Sequence, residues 1–416
     1  MPLALVAGMA GAQPGEGPTI AEVEARHKQK LEELAFRIRS APSSALFVER
    51  AELYVAMYRG LVLHRPAGRH FVERAIDDFS AAIDLQPSAL AYLGRVWCSR
   101  EMHWTDPPKD HPAKMIDFFL KAPAYAGYLS DFQNALRLST SDGERSQSLD
   151  GLASLHAWRA RHLATSQISA ELRARGDPYS IWEDFGRSLE YATQRARLEP
   201  RASNGSLASG EQGIGEIYVQ MGRAAARLGE FDRALTAFQS AETYLTDHNA
   251  GICSYYAAWG KVYASQGLFL QSVETYTRGL KLSEWNCRPL LEYRGDAYLA
   301  HGQANDALAD YDALFQGNEQ VPGCTGVAFC AARLPIKRAQ AYLRLQQPQK
   351  AVAEITFAIE KAFIGHCPQV LLLRAKAYRQ LGDVASALVD EQRAARLNPS
   401  QACLDYYVEG WDVWKD

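Results

Sequence analysis

Residues 217–245 read IYVQMGRAAARLGEFDRALTAFQSAETYL, and their spacing decides the fold. Gly222 is followed by Gly229, Ala234, Phe238 and Ala241, at offsets of 7, 12, 16 and 19. The stretch reads as two amphipathic helices, Ile217 to Leu228 and Asp232 to Leu245, joined by the turn Gly229-Glu230-Phe231. Gly229 suits the left-handed conformation on which many helices end. Gly222 and Ala234 carry little or no side chain, so the two helices can approach closely, and Phe238 fills the space between successive hairpins.

The same cadence recurs downstream. From Gly260 the offsets reach Gly267, Ser272, Tyr276 and Gly279, with Tyr263 at an offset of 3. From Gly295 they reach Tyr298, Gly302, Ala307, Tyr311 and Leu314. Ala339 leads to Tyr342, Ala351, Ile355 and Ala358, while Ala375 leads to Tyr378, Gly382, Ala387 and Ala394, with Pro399 closing the unit. The anchors lie 38, 35, 44 and 36 residues apart. A fixed period implies stacked repeats, because one hairpin cannot bury its apolar face alone and its neighbour supplies the other half of the core.

Gly222, Gly229, Phe231, Ala234, Phe238 and Ala241 together resemble the tetratricopeptide repeat (TPR) family, over roughly 215–401 and as five units. Ala225 departs from the pattern at the first-helix Tyr, and Glu391 at the second-helix aromatic. The resemblance implies an all-α, right-handed superhelical solenoid of stacked antiparallel helix pairs. It also implies a non-enzymatic interaction scaffold, without a cofactor, whose first helices line a concave groove that holds a segment of another protein.

The N-terminal half follows the same logic with looser spacing. Arg50-Ala51 and Tyr54 mark a first helix, and Ala75, Phe79, Ala82 and Pro87 its second, with extra chain between them. Arg95-Val96 begins another unit, whose second helix carries Phe132 and Ala135 after an insertion at 101–127. Arg159-Ala160 begins a third, leading into the helical stretch 181–198. An arginine precedes the small residue in all three, as at Arg294, Arg338 and Arg374. The expected organisation is a leader remnant and linker at 1–18, a helix plus divergent repeats with insertions at 19–200, and a linker at 201–214. Five repeats at 215–401 and a capping helix at 402–416 complete it. Thr19 and Glu22 form a capping box for the helix that carries Val23, Leu31, Leu34 and Ile38.

The chain has 416 residues, 45 basic and 48 acidic, for a net charge of −3. No run of five like charges marks a nucleic-acid patch or a polybasic membrane anchor, and no apolar stretch is long enough to span a bilayer. Residues 3–12 form a short apolar run ending in Ala10-Gly11-Ala12. They read as the end of a secretory signal with its small-residue cleavage site, which places the protein outside the cytoplasm, periplasmic or secreted. An Ala/Gly-rich tail on a cytoplasmic protein explains the same letters.

Chemical motifs are sparse. Gly210, Gly213 and Gly215 precede a helix, but a dinucleotide fingerprint needs a preceding strand, so loop flexibility is the expected role. His103, Asp106, Asp110 and His111 crowd the 101–127 insertion, and their side chains are legitimate metal ligands. Their spacing matches no established site, and a ligand- or metal-binding protein stays an alternative, as does an extracytoplasmic assembly subunit. His156 and His162 lie six apart, off the helical ligand spacing, and read as ordinary helix residues. There is no Gly-x-Ser-x-Gly elbow, no His-Glu-x-x-His and no phosphate loop.

If first helices line a groove, the residue after each small residue faces it: Glu52, Trp97, Arg161, Arg223, Lys261, Asp296, Gln340 and Lys376. Arg227 and Arg344 follow one turn on. The stretch from Arg161 to Lys261 is basic within a nearly neutral protein, which favours an acidic or phosphorylated segment. Solvated helix faces give the same pattern. Family members that grip C-terminal carboxylates use Lys, Asn and Arg at set positions. Here Arg223 stands where they have Asn and Val219 where they have Lys, so a chaperone-tail clamp is not expected.

Six of seven cysteines follow residue 250, and Cys98 is expected as a buried free thiol. Cys253, Cys287, Cys330, Cys367 and Cys403 begin successive first helices, with Cys324 just ahead of Cys330. They line one edge of the stack. The expected bridges are Cys253–Cys287, Cys324–Cys330 and Cys367–Cys403, which agree with an oxidising compartment. Reduced thiols at half-buried junctions are the alternative.

Overall fold

A computed structural model describes residues 18–61, 68–103, 112–121, 123–175, 179–199, 209–244, 251–282, 287–316, 327–362 and 367–397. Among these residues there are nineteen α-helices and no strand. The chain forms two compact units, Met1–Ile217 and Tyr218–Asp416.

Unit 1 opens with α1 (Ile20–Ser40), whose capping box forms as the sequence requires: Thr19 accepts from the Glu22 N–H, and the Glu22 carboxylate accepts from the Thr19 N–H. Val23, Leu34 and Ile38 are its buried face. Helices α2 (Ser44–Gly60) and α3 (Arg69–Leu85) form the first hairpin, and α4 (Ala89–His103) starts the second. The 101–127 insertion is not simply a loop. It contains α5 (Pro112–Leu120) and the start of α6 (Pro123–Leu138), the helix that pairs with α4. The third hairpin, α7 (Asp142–Leu163) with α9 (Ile181–Leu198), likewise encloses an extra helix, α8 (Ser166–Arg175), which packs on α5.

α10 (Ser209–Arg227) begins eight residues before the start expected at Ile217 and carries the boundary between the units. The expected linker therefore loses residues 209–214 to helix, and Gly210, Gly213 and Gly215 are helical rather than loop residues. Ile214, Ile217 and Val219 give the extended helix a buried face. At Gly210 an added Cβ would stand 2.7 Å from Ala196 Cα, so glycine permits close approach to α9 there.

Unit 2 continues with α11 (Phe231–Glu242), and then four further hairpins, α12 (Ile252–Ser265) to α19 (Val384–Ala395). Their members are α13 (Phe269–Leu282), α14 (Arg288–Ala300), α15 (Ala304–Gln316), α16 (Val327–Arg344), α17 (Pro348–Ala362) and α18 (Pro368–Leu381). The glycine at offset 7 has φ of +74° at Gly229 and Gly267, +91° at Gly302 and +81° at Gly382. In the fourth repeat Gln346 takes that place and still adopts φ 56°, because the turn demands it.

The small residue and the second-helix aromatic are one structural feature. A Cβ on Gly260 would stand 2.3 Å from the Tyr276 ring, on Gly295 2.6 Å from Tyr311, and on Gly222 2.7 Å from Phe238. Each ring thus lies on the glycine of its own hairpin, and Phe238 also meets Tyr255 of the next one edge-on at 5.9 Å. Where the small residue is Ala339 or Ala375, the ring is absent: Ile355 and Glu391 stand there instead.

The recurring arginine has a recurring partner. Arg50 bonds Asp78, Arg95 bonds Asp131, Arg159 bonds Asp184, and Arg374 bonds Asp390, each through two nitrogens and two oxygens. Arg338 lies 3.3 Å from Glu354. The acid always immediately precedes the second-helix position that carries the aromatic ring in the other repeats. In unit 2 the same arginine reaches the preceding hairpin's second helix: Arg374 bonds Thr356, and Arg338 lies 3.0 Å from Asp312. Only the repeats anchored at Gly222 and Gly260 lack the arginine, with Met221 and Trp259, and those two also lack the acid, with Ala237 and Thr275.

Cys253 and Cys287 form a disulfide with Cα atoms 5.5 Å apart, joining the start of α12 to the residue preceding α14. Cys367 is also disulfide-bonded. The expected Cys324–Cys330 and Cys367–Cys403 pairings involve Cys324, the Cys330 side chain and Cys403, which lie outside the described residues, as do residues 3–12 and the capping helix at 402–416. Cys98 is a buried free thiol, pushed up to about 12 chiefly by burial.

Candidate functional site

Three neighbouring first helices of unit 2, α12, α14 and α16, build the most unusual charge arrangement on the first-helix side. Lys261 follows Gly260 on α12, so the close glycine–tyrosine packing that fixes the helix also fixes the lysine. Its Nζ sits 4.0 Å from the centroid of the Tyr293 ring on α14. The side chain is half-buried, and no carboxylate lies within ion-pair distance of it among the described residues. Burial first, and repulsion from Arg333 second, lower its ammonium to about 8, against opposition from Glu292. The Tyr293 face offsets part of that cost, since a ring quadrupole attracts a cation.

Beside it, Glu292 on α14 draws Arg333 Nε to 2.6 Å and Lys337 Nζ to 2.8 Å, both from α16. Burial alone would raise the Glu292 carboxyl, and Lys337 with Arg333 reverses this, leaving it below the ordinary range. Asp296 is buried, pairs with Lys337, and accepts a hydrogen bond from the Tyr311 hydroxyl at 2.7 Å. Its carboxyl is raised by burial, with Lys337 opposing. Among the described residues, the three cations Lys261, Arg333 and Lys337 stand beside the two acids Glu292 and Asp296.

Asp296 therefore serves the interior and is corrected as a surface contact. Lys261 is half-buried on α12, against the Tyr293 ring of α14. Gln340 is half-buried on α16, and Lys376 is exposed on α18. Arg223 is half-buried and donates to the Ser254 carbonyl at 3.2 Å, and Arg227 is half-buried one turn on. Trp97 and Arg161 belong to unit 1. Trp97 packs on that unit's core with the Arg59 guanidinium 4.4 Å over its ring, while Arg161 is exposed. Glu52 is half-buried and Arg344 exposed.

Sequence reasoning missed Glu292, Tyr293, Arg333 and Lys337. Helical spacing was the available signal: Glu292 and Arg333 lie four residues before Asp296 and Lys337, on the same face. His156 was also more than an ordinary helix residue. It is buried with Nδ1 2.7 Å from Asp184, which also binds Arg159 and the Tyr179 hydroxyl. Burial alone would raise Asp184, but Arg159 and His156 hold it at about 2. This closed network belongs to the arginine–acid pairing of unit 1. Asp106, Asp110, His111 and the His103 side chain lie outside the described residues, and no group of three metal-binding side chains occurs among those described. No described helix is long and apolar enough to cross a membrane.

Residues 336–402 match the family model described as tetratricopeptide repeat, so the chain carries tetratricopeptide repeats. Among solved structures, a MamA protein is 18% identical with a TM-score of 0.37, over 45% of this chain and 92% of that one. The Cut9–Hcn1 hetero-tetramer of the APC/C gives 14% and 0.35, over 92% of this chain and 86% of that one. A tetratricopeptide repeat protein from Parabacteroides merdae gives 14% and 0.33, over 79% and 99%. No curated protein matches the chain.

Proposed function

We propose that this tetratricopeptide-repeat chain is a non-enzymatic scaffold that binds an acidic segment of another protein across α12, α14 and α16. The observation that carries this reading is Lys261: a half-buried ammonium, without a carboxylate partner among the described residues, beside the further cations Arg333 and Lys337. Holding a charge partly out of water is costly unless something pairs it, and an incoming carboxylate supplies the pair. Arg223 and Arg227 on α10 add basic side chains on a neighbouring first helix of the unit. Electrostatic complementarity of this kind selects partners and speeds encounter more than it adds affinity.

Crosslinking with mass spectrometry in native extract identifies the partner. Reversal of Arg223, Arg227 and Lys261 to Glu then tests the surface: recovery of the partner falls at least tenfold. Unchanged recovery from a folded variant would sink the acidic-segment reading. The Cys253–Cys287 bridge also supports an extracytoplasmic location, since such bonds do not persist in a reducing cytosol. Thiol-blocked peptide mapping of protein from its native source tests that location, and a free Cys253 would count against it.

A further inference from the structure

Lys261 has a second chemical capacity. A lysine becomes a nucleophile when burial or a neighbouring cation suppresses its charge, and both conditions meet here. The groups that face it are Glu292, Tyr293 and Asp296 from α14, and Arg333 and Lys337 from α16. Lys337, in the same cluster, is held by Glu292 and Asp296, whereas among the described residues Lys261 Nζ rests on the Tyr293 ring without an ion pair. The site thus combines an amine without an ion-pair partner among the described residues with two further cations, Arg333 and Lys337, beside it.

We propose that Lys261 is a covalent modification site for small anionic aldehydes, which it captures as imines. The neutral Nζ attacks the carbonyl carbon and forms an N–C bond, giving a carbinolamine. Loss of water then breaks the C–O bond and leaves the C=N imine, with the second amine proton departing in that water. The carboxylate of the aldehyde is drawn by the cations around Arg333.

At pH 7.5 an amine titrating at about 8 is roughly one-quarter free base, about 200 times the fraction for an ordinary lysine near 10.4. Lower basicity and partial burial reduce that advantage to a net rate at least about tenfold above an exposed lysine. Capture would mask the charge that the proposed partner reads, and this consequence alone rests on the acidic-segment reading.

The experiment treats the full chain with glyoxylate and cyanoborohydride at pH 7.5, then maps the reduced adducts by peptide mass spectrometry. Lys261 is expected to be labelled at least about tenfold faster than Lys376 and Lys337. The preference should shrink when glycolaldehyde, neutral and of similar size, replaces glyoxylate. Labelling of Lys261 no faster than of Lys376 overturns the proposal, as does an equal preference for the neutral aldehyde. Labelling needs no partner, so the two readings fail separately. If labelled protein still binds the partner normally, the acidic-segment reading falls and the modification stands.

Discussion

Arg294 donates two parallel hydrogen bonds to Asp310, Nε to Oδ2 at 2.8 Å and Nη2 to Oδ1 at 2.6 Å, and a third to the Thr277 hydroxyl at 3.1 Å. One side chain on α14 thereby ties together its own hairpin and the second helix of the preceding one. Removing the arginine alone leaves the buried Asp310 carboxylate without its main partner, at a cost of about 3–5 kcal/mol. Arg294→Met combined with Asp310→Ala recreates the neutral pair found at Met221 and Ala237. The double variant is expected to recover most of the loss in urea unfolding. A double variant as unstable as the sum of the two single ones would contradict the pairing.

The glycine–aromatic rule is equally testable. Gly260→Ala forces its Cβ into the buried Tyr276 ring, at an expected cost of about 1–3 kcal/mol. Adding Tyr276→Ile, which reproduces the Ala339–Ile355 combination, should return part of that stability. Thermal unfolding of the single and double variants decides it, and no recovery would mean that the ring is needed for more than space.

Gln346 is strained at φ 56° where the other repeats place glycine. Gln346→Gly should stabilise the fold by about 0.5–1 kcal/mol, the relief of strain being partly offset by a more flexible unfolded chain. Destabilisation in urea would refute the strain argument.

Replacing Cys253 and Cys287 with serine opens the loop of their 34-residue separation in the unfolded chain. A loss of about 2–4 kcal/mol is expected, equal to that of wild type in reductant apart from the effect of reducing any other bridge. A variant as stable as the oxidised wild type would show that the staple contributes nothing to equilibrium stability.

Partner binding should depend on pH through Lys261. Its folded-state titration is lowered to about 8, so the ammonium to which the proposed acidic segment would bind is largely present at pH 7 and lost as pH rises through that value. Affinity measured by calorimetry should fall between pH 7 and 9 and lose this dependence in Lys261→Arg, which stays charged. The sign for stability is opposite. An ordinary unfolded lysine near 10.4 binds its proton more tightly than the folded one, so folding gains stability as pH rises from about 8 toward 10.

The period, the turn glycines and the small residues of 222–394 were legible because they are backbone requirements: a left-handed turn or a missing Cβ restricts which residue can stand there. Cys253 and Cys287 were pairable from repeat register for the same reason. The looser N-terminal half showed its hairpins at Arg50, Arg95 and Arg159, but not that α5 and α8 are helices packed on one another.

The sequence by itself determined that this is a stack of α-helical hairpins, since each hairpin's pattern repeats locally and needs a like neighbour to bury it. Only the tertiary structure decided what the charged residues do. The arginines stood out, but their acids lie 16 to 36 residues away, and only folded helices bring them together. Asp296 and Lys261 occupy the same register, one residue after a glycine, yet one is buried in ion pairs and the other rests on Tyr293 without an acid. Register fixes which way a residue faces along its own helix. What it meets there is set by the side chains of the next helix, and so is the difference between a structural charge and one available to a partner.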